Sequence, residues 1–171
     1  MPAASRVRRC LLPALLIAAL SGCSLVASRS PRPTAAATAP QSQAGAVVAA
    51  AAAALIGTRY EFGGADAGGF DCSGLALYAY ERAGISIPRT AAEQQRAAQP
   101  VPLAQLAPGD LVFFRMGRHH IDHVGIYLGG GRFVHAPHEG VAVSVADLAN
   151  GYYARHLVNA GRFVSAPLSS R

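Results

Sequence analysis

The sequence predicts an α+β domain in which three helices come first and an antiparallel sheet follows. Helix signals, namely alanine-rich runs and capping residues, lie between residues 46 and 99. Short apolar stretches bounded by glycine and proline, which are typical of strands, lie between residues 111 and 164. This separation of helices from strands along the chain favours an α+β arrangement over alternating βαβ units.

The three helices are predicted in the first part of the domain. The first covers residues 46–56, an alanine-rich run that ends at Gly57. The second covers residues 72–83, and the third begins at Thr90-Ala91-Ala92-Glu93 and continues to about residue 99. In that tetrapeptide the threonine and the glutamate have the spacing of a capping box, which closes the start of a helix.

The second part is predicted to form five short strands. A turn at Pro108-Gly109-Asp110 precedes the first strand, and Gly129-Gly130-Gly131 joins the second and third strands into a hairpin. The predicted strands cover residues 111–115, 123–128, 132–136, 141–145 and 162–164.

Residues 1–22 are predicted to be a lipoprotein signal peptide. Three arginines precede an apolar run over residues 10–20, which is shorter than the roughly 20 residues of a membrane span. The run ends in Leu20-Ser21-Gly22-Cys23, which resembles the bacterial lipobox, so we expect lipidation at Cys23. The alternative is an uncleaved N-terminal helix. Ser24 favours the outer membrane of a Gram-negative host, with the protein facing the periplasm.

The rest of the chain divides into three predicted parts. Residues 23–45 are rich in Ser, Pro, Ala, Thr and Gln and form the lipidated N-terminus and a disordered tether. This tether spans at most about 70 Å when extended. Residues 46–165 form the folded domain, and residues 166–171 form a C-terminal tail. We therefore expect a domain of the cell envelope that a lipid anchor holds near a membrane.

The charge balance argues against nucleic acid as a partner. All 15 basic residues are arginine, against nine acidic residues, and the formal net charge is +6. Without the three arginines of the predicted leader the excess falls to +3, a mild positive charge that suits an anionic wall or membrane surface. The sequence has no basic stripe with interleaved aromatic residues of the kind that binds single strands.

Cys72 is the candidate nucleophile, because Phe70-Asp71-Cys72-Ser73-Gly74 stands where a loop meets the second predicted helix. A thiol at a helix N-terminus faces free amide hydrogens and the positive end of the helix dipole. This placement, with a histidinium beside it, is expected to lower the thiol pKa from about 8.5 into the range of about 3.5–7.5. The same amides would stabilise an oxyanion. The alternative is a buried structural thiol.

His123 and His135 are the candidate base and its partner. His123 begins one strand of the predicted hairpin and His135 ends the other. A loop with an odd number of residues places both side chains on the same sheet face, whereas an even loop without a bulge places them on opposite faces. A metal site is the alternative, but the spacing of the six histidines matches no standard zinc pattern, so neither metal nor cofactor is expected.

Six motifs in order then resemble one family. They are Tyr60-Glu61-Phe62-Gly63-Gly64, Phe70-Asp71-Cys72-Ser73-Gly74, Ile87-Pro88-Arg89-Thr90, Pro108-Gly109-Asp110-Leu111-Val112-Phe113-Phe114, His123-Val124-Gly125-Ile126-Tyr127-Leu128-Gly129 and Phe133-Val134-His135-Ala136. Over residues 46–165 the chain resembles the NlpC/p60 cysteine peptidases of bacterial cell walls. The resemblance implies a papain-like fold, in which N-terminal helices pack on an antiparallel sheet, and a catalytic triad of Cys72, His123 and His135.

The resemblance also implies roles for four further residues. Tyr60 would line the oxyanion site, with a simple packing role as the alternative. Asp71 and Ser73 would contact the peptide stem of the substrate, although Asp71 also suits a helix N-cap. Arg89 would bind a stem carboxylate, or it is a plain surface arginine. Phe62 stands where the family commonly has tryptophan, which would reshape the cleft wall.

The implied activity is that of a peptidoglycan endopeptidase, which hydrolyses stem-peptide or cross-link amide bonds through a thioester intermediate. Its expected partners are peptidoglycan stem peptides, and the membrane through the lipid anchor. Two alternatives stay open at this point. One is a non-catalytic lipoprotein that binds the wall through a degenerate cleft, and the other is a related thiol amidase or acyltransferase.

Overall fold

The computed structural model describes residues 39–117 and 119–163. The predicted signal peptide, Cys23, most of the predicted tether and the predicted tail lie outside the described residues. In chain order the elements are α1 (Ala39–Ala53), β1 (Ala65–Asp66), β2 (Gly69–Phe70), α2 (Cys72–Arg82), α3 (Ala91–Ala97), β3 (Gln99–Val101), a 3₁₀ turn (Leu103–Gln105), β4 (Leu111–Phe114), β5 (His123–Gly129), β6 (Arg132–His135), β7 (Ser144–Asp147), α4 (Gly151–His156) and β8 (Leu157–Arg162).

Six of the strands form one antiparallel sheet in the order β3-β8-β4-β5-β6-β7. Strands β1 and β2 form a separate two-stranded pair just before α2. Three helices precede the main sheet, so the predicted α+β class is confirmed. None of the helices within the described residues is both long and apolar enough to cross a membrane.

Apolar side chains cover both faces of the sheet. On β4, Leu111 and Phe113 join the core beneath α1 and α2, whereas Val112 and Phe114 join a second cluster on the opposite face. This alternation follows from the two-residue period of a strand. The start of α2 lies so close to the loop before β1 that a side chain at Gly74 would clash with the carbonyl oxygen of Gly64. Glycine at position 74 permits this approach.

Several boundaries differ from those predicted. Helix α1 begins at Ala39, within the predicted tether, and ends at Ala53 rather than at residue 56. Its early start is compatible with Pro40, because proline is tolerated in the first turn of a helix. The capping box at Thr90 and Glu93 is confirmed, and α3 ends two residues early, at Ala97.

The C-terminal strands also differ. The strand predicted over residues 141–145 lies at Ser144–Asp147, and the one predicted over 162–164 lies at Leu157–Arg162. Helix α4, which was not predicted, precedes the latter strand and begins after the N-cap Asn150. Strand β8 pairs with both β3 and β4, so distant partners in the chain determine its position.

Candidate active site

The β5–β6 hairpin brings His123 and His135 together. Cα pairing runs from Ile126 opposite Val134 to Gly129 opposite Arg132, with an irregularity between Tyr127 and Gly129. The turn therefore contains only two residues, Gly130 and Gly131, whose φ angles of 60° and 77° suit glycine. An even turn alone would have put the histidines on opposite faces, but the bulge supplies one extra residue and restores a common face.

The two imidazoles make a direct hydrogen bond. Nε2 of His123 lies 2.8 Å from Nδ1 of His135, and both side chains are buried. Phe114 lies directly opposite His123 in the β4–β5 register and packs against its ring. Because Nε2 of His123 is engaged by His135, Nδ1 is the nitrogen that remains to accept a proton from elsewhere.

Cys72 is the first residue of α2 and is half-buried at the start of β5. Its Sγ lies 3.9 Å from the carbonyl oxygen of Asp122, and the backbone amide of Val124 is close enough to lower the pKa of the thiol. The sulfur thus touches the backbone on both sides of His123. No hydrogen bond joins Sγ to an imidazole nitrogen among the described residues.

The resting thiol differs from the sequence prediction. Burial raises the pKa of Cys72 to about 11, and the negative charge of Asp71 acts in the same direction. Backbone amides, including those of Val124 and Ser73, lower this pKa but do not compensate. The predicted lowering of the thiol pKa is therefore wrong for this state, because desolvation outweighs the helix terminus.

The histidines are also neutral at pH 7. Burial lowers the pKa of His123 to about 4, against an opposing effect of the Asp122 carboxylate. Burial, together with the proximity of His123 and His138, lowers the pKa of His135 to about 3. The site therefore combines a neutral thiol with a neutral imidazole pair.

An ion-paired cluster holds the other side of the cleft. Nη1 and Nη2 of Arg89 donate to the two carboxylate oxygens of Asp71, at 3.1 and 2.6 Å, and Nη1 also donates to Ser73 Oγ at 2.9 Å. The same carboxylate accepts the amides of Gly63 and Gly74, and the latter bond makes Asp71 the N-cap of α2. Arg89 is therefore not a plain surface arginine.

The charge of Asp71 is stabilised by these contacts. Burial by itself would raise the pKa of Asp71, but hydrogen bonds from Arg89, Gly74 and Ser73 and the charge of Arg89 hold it below its usual value. The carboxylate is thus ionised next to Cys72. This position explains why Asp71 contributes to the raised thiol pKa.

Tyr60 and Phe62 complete an open cleft of about 600 Å³ around the thiol. Burial raises the pKa of the Tyr60 hydroxyl, so it stays protonated and can donate a hydrogen bond. Phe62 is 91% exposed on the rim. The structure thus brings Tyr60, Asp71, Ser73 and Arg89 to the cleft that contains Cys72, while Cys23 lies outside the described residues.

Two residues near the site were not singled out from the sequence. Gln94 on α3 is fully buried and donates from Nε2 to the carbonyl oxygens of Ser73 and Pro88, which ties α3 to the start of α2. Tyr153 on α4 places its hydroxyl 3.3 Å from Nε2 of His135. Gln94 could have been found from the sequence, because it is a polar residue on the otherwise apolar face of the predicted third helix. No sequence signal indicates Tyr153.

The NlpC/P60 family model matches residues 57–162, which is more than half of the chain. This chain belongs to the NlpC/P60 family. The matched segment contains every candidate residue of the cleft, and only the predicted lipidation site lies outside it. Within the described residues, no group of three or more His, Cys, Asp or Glu side chains is arranged to hold a metal ion.

Two curated relatives are similar over the NlpC/P60 region. The murein DD-endopeptidase MepH of Escherichia coli is 45% identical over 115 residues, which cover 64% of this chain and 42% of MepH. The γ-D-glutamyl-L-lysine dipeptidyl-peptidase of Bacillus subtilis is 39% identical over 105 residues, 60% of this chain and 36% of that protein. The chain thus matches less than half of each relative.

A solved structure confirms the predicted papain-like NlpC/P60 fold. The crystal structure of an NlpC/P60 family protein from Bacillus cereus superposes with a TM-score of 0.67 at 30% identity, covering 71% of this chain and 40% of that one.

Proposed function

We propose that this protein is a peptidoglycan endopeptidase of the cysteine type, with Cys72 as nucleophile, His123 as base and His135 as the residue that orients it. The observation that carries the proposal is the position of Sγ next to the backbone of Asp122 and Val124, the two neighbours of His123 in the chain. Nε2 of His123 is held by His135, so Nδ1 is left to act as the base. Nucleophile, base and orienting group are the three parts that acyl transfer requires.

The first chemical step starts from neutral groups. The S–H group of Cys72 turns from the carbonyl oxygen of Asp122 towards Nδ1 of His123. Nδ1 takes the thiol proton as the sulfur attacks the carbonyl carbon of the substrate amide. Tyr60 and the amides at the start of α2 stabilise the resulting oxyanion. The tetrahedral intermediate collapses, the imidazolium gives its proton to the leaving amine, and a thioester of Cys72 remains.

Water completes the cycle. His123, neutral again, takes a proton from water as the water oxygen attacks the thioester carbonyl. Collapse of the second intermediate breaks the carbon–sulfur bond, releases the carboxylic acid and returns the proton to Cys72. His135 stays neutral throughout, because its burial disfavours a positive charge.

The polar cluster on the other wall suits a charged peptide stem. Arg89 is partly exposed, with 37% of its side chain accessible, and Ser73 and the ionised Asp71 adjoin it at the cleft. Asp71 would attract an ammonium group of the stem, and Arg89 would bind a carboxylate. Both residues also maintain the start of α2 that positions Cys72.

For the bond, we propose the cross-link between diaminopimelate and D-alanine. The similarity to a relative named as a murein DD-endopeptidase supports this bond. The γ-D-glutamyl bond is the second candidate, supported by the relative named for a γ-D-glutamyl-L-lysine substrate.

Mass spectrometry of cross-linked muropeptide dimers incubated with the full chain separates these bonds. Conversion of dimers into tetrapeptide monomers is expected, and C72A is the matched control without a nucleophile. Dipeptide-bearing fragments from otherwise uncut dimers would assign the γ-D-glutamyl bond instead. Absence of any product, or equal product from C72A, would overturn the peptidoglycan endopeptidase proposal.

We further propose that the protein is a lipoprotein of the cell envelope, anchored through Cys23 after removal of residues 1–22 and facing the periplasm from the outer membrane. The lipobox-like Leu20-Ser21-Gly22-Cys23 and Ser24 support this proposal. Intact-mass measurement should show a diacylglyceryl addition on a chain that begins at Cys23, and C23A should accumulate as an unlipidated precursor. An intact N-terminus without lipid on the wild-type protein would contradict it.

A further inference from the structure

Tyr153 contacts the histidine pair at the ring nitrogen of His135 that is not bonded to His123. Its Oη is 3.3 Å from Nε2 of His135, and the two rings pack edge to face with centroids 5.3 Å apart. Phe114 and Phe133 pack against the same tyrosine ring at centroid distances of 5.8 and 5.1 Å. A continuous hydrogen-bonded chain therefore runs from His123 through His135 to Tyr153.

The tautomers along this chain are linked. A neutral imidazole carries one N–H and one free nitrogen. For Nδ1 of His123 to accept a proton, its Nε2 must carry the hydrogen and donate it to Nδ1 of His135. His135 must then carry its own hydrogen on Nε2, and the hydroxyl oxygen of Tyr153 must accept it.

The reverse arrangement disables the base. If Tyr153 donates to Nε2 of His135, then His135 carries its hydrogen on Nδ1 and donates to Nε2 of His123. His123 then holds its hydrogen on Nδ1, the nitrogen that should take the proton of Cys72. The direction of one hydroxyl group thus separates a competent histidine pair from an incompetent one.

The surroundings of Tyr153 favour the competent direction. Its ring is partly buried, but it lines an open groove of about 560 Å³ together with Asn150 and Asp147. The hydroxyl can therefore donate its hydrogen to solvent in the groove while accepting from His135. Burial raises the pKa of Tyr153, so the group is a neutral hydroxyl that can accept and donate at once.

We propose that Tyr153 is a positioning residue, whose hydroxyl accepts a hydrogen bond from Nε2 of His135 and thereby keeps Nδ1 of His123 free to act as the base. The inference rests on the proposed function. It concerns a residue that touches neither the thiol nor the cleft around it, and that lies 18 positions after His135 in the chain.

The kinetic test is Y153F in the full chain, with muropeptide dimers as substrate. Loss of one neutral hydrogen bond should lower kcat about fivefold to tenfold, with KM unchanged because the substrate cleft is untouched. Y152F is the matched control: Tyr152 is the neighbouring residue of α4, and its hydroxyl makes no hydrogen bond to any described residue. A kcat for Y153F within twofold of wild type would overturn the proposal.

A double-mutant cycle separates positioning from packing. A side-chain amide has no tautomers, so Y153F should cost little when it is added to H135N. An equal loss in both backgrounds would mean that Tyr153 only supports the fold, and would overturn the proposal. Activity of H135N alone gives the reference rate for this comparison.

Long-range ¹H–¹⁵N correlation NMR reads the tautomers without turnover. The wild-type full chain in detergent should show both His123 and His135 with hydrogen on Nε2, and Y153F should shift His135 towards the Nδ1–H form. Unchanged tautomers in Y153F would overturn the proposal even if the activity fell. An inactive wild-type protein with the expected tautomers would contradict the proposed function but support the role of Tyr153.

Discussion

The two sides of the site around Cys72 keep their polar groups in opposite ways. We call the α2 side, with Asp71 and Arg89, the charged wall, and the sheet side, with the buried His123 and His135, the neutral wall. On the charged wall, Asp71 is ionised and paired with Arg89 through two hydrogen bonds. On the neutral wall, burial keeps His123 and His135 neutral, and they bind each other. A buried charge persists where a partner compensates it, whereas an uncompensated titratable group becomes neutral. The site thus combines charged groups that line the cleft and suit recognition with a buried neutral base beside it.

The largest expected effect lies on the neutral wall. H123A removes the proposed base and should lower kcat by about 10²–10⁴-fold, the usual contribution of a positioned general base. H119A is the matched control, because His119 is an exposed loop residue. The measurement is the initial rate of muropeptide cleavage. Comparable rates for the two variants would show that His123 is not the base.

The reactivity of the Cys72 thiol tests whether the nucleophile is neutral in the free enzyme, like the histidine pair beside it. With a pKa of about 11, Cys72 should react with iodoacetamide at pH 8 roughly 10²-fold more slowly than an ordinary cysteine with a pKa of about 8.5. The rate should rise about tenfold per pH unit until the pH approaches 11. A plateau reached below pH 8.5 would mean that the free enzyme holds a thiolate–imidazolium pair instead.

Acid should destabilise the neutral wall next. The pKa values of His123 and His135 fall from 6.5 in the unfolded chain to about 4 and 3 in the folded protein. As the pH drops below 6.5, the unfolded state takes up protons that the folded state refuses, so stability is lost down to about pH 3, by roughly 3 kcal/mol for His123 and roughly 5 kcal/mol for His135. Urea unfolding across this range measures the loss, and H135N should flatten it. An identical pH dependence in H135N would exclude His135 as a source.

The smallest effect is expected on the charged wall. R89M leaves the Asp71 carboxylate without its cation and should reduce the free energy of unfolding by about 1–2 kcal/mol, since Arg89 is partly exposed. R59M is the matched control, because Arg59 pairs with Glu61 at the surface, with side-chain exposures of 69% and 45%. Its expected cost is below about 1 kcal/mol. Equal costs from urea unfolding would remove the contrast between a partly buried pair and an exposed one.

Local sequence signals predicted the parts of the fold that depend on near neighbours. The capping box of Thr90 and Glu93 joins residues three positions apart, and the glycines at 129–131 specify a hairpin between adjacent strands. The placement of Cys72 at the start of a helix followed from the loop before it. In each case the determining contacts lie within a few residues of the chain.

The remaining features depend on contacts between distant residues. Strand β8 lies between β3 and β4, and no local pattern indicates that position. Arg89 pairs with Asp71 across 18 residues, and Tyr153 contacts His135 across another 18. The raised thiol pKa follows from burial by the assembled domain, which the motif around Cys72 does not encode. Motifs therefore indicated residues that line the cleft, but neither the contacts that those residues make nor the charge states that result.

The bulge in the β5–β6 hairpin makes the histidine pair sensitive to the number of residues that separate its members. His123 and His135 share a sheet face only because a two-residue turn is combined with one extra residue near Leu128. Deleting that residue would turn one imidazole to the opposite face, whereas changing the loop by two residues preserves the pairing. We therefore expect the hairpin to tolerate insertions or deletions of two residues. We expect a change of one residue to separate the two imidazoles.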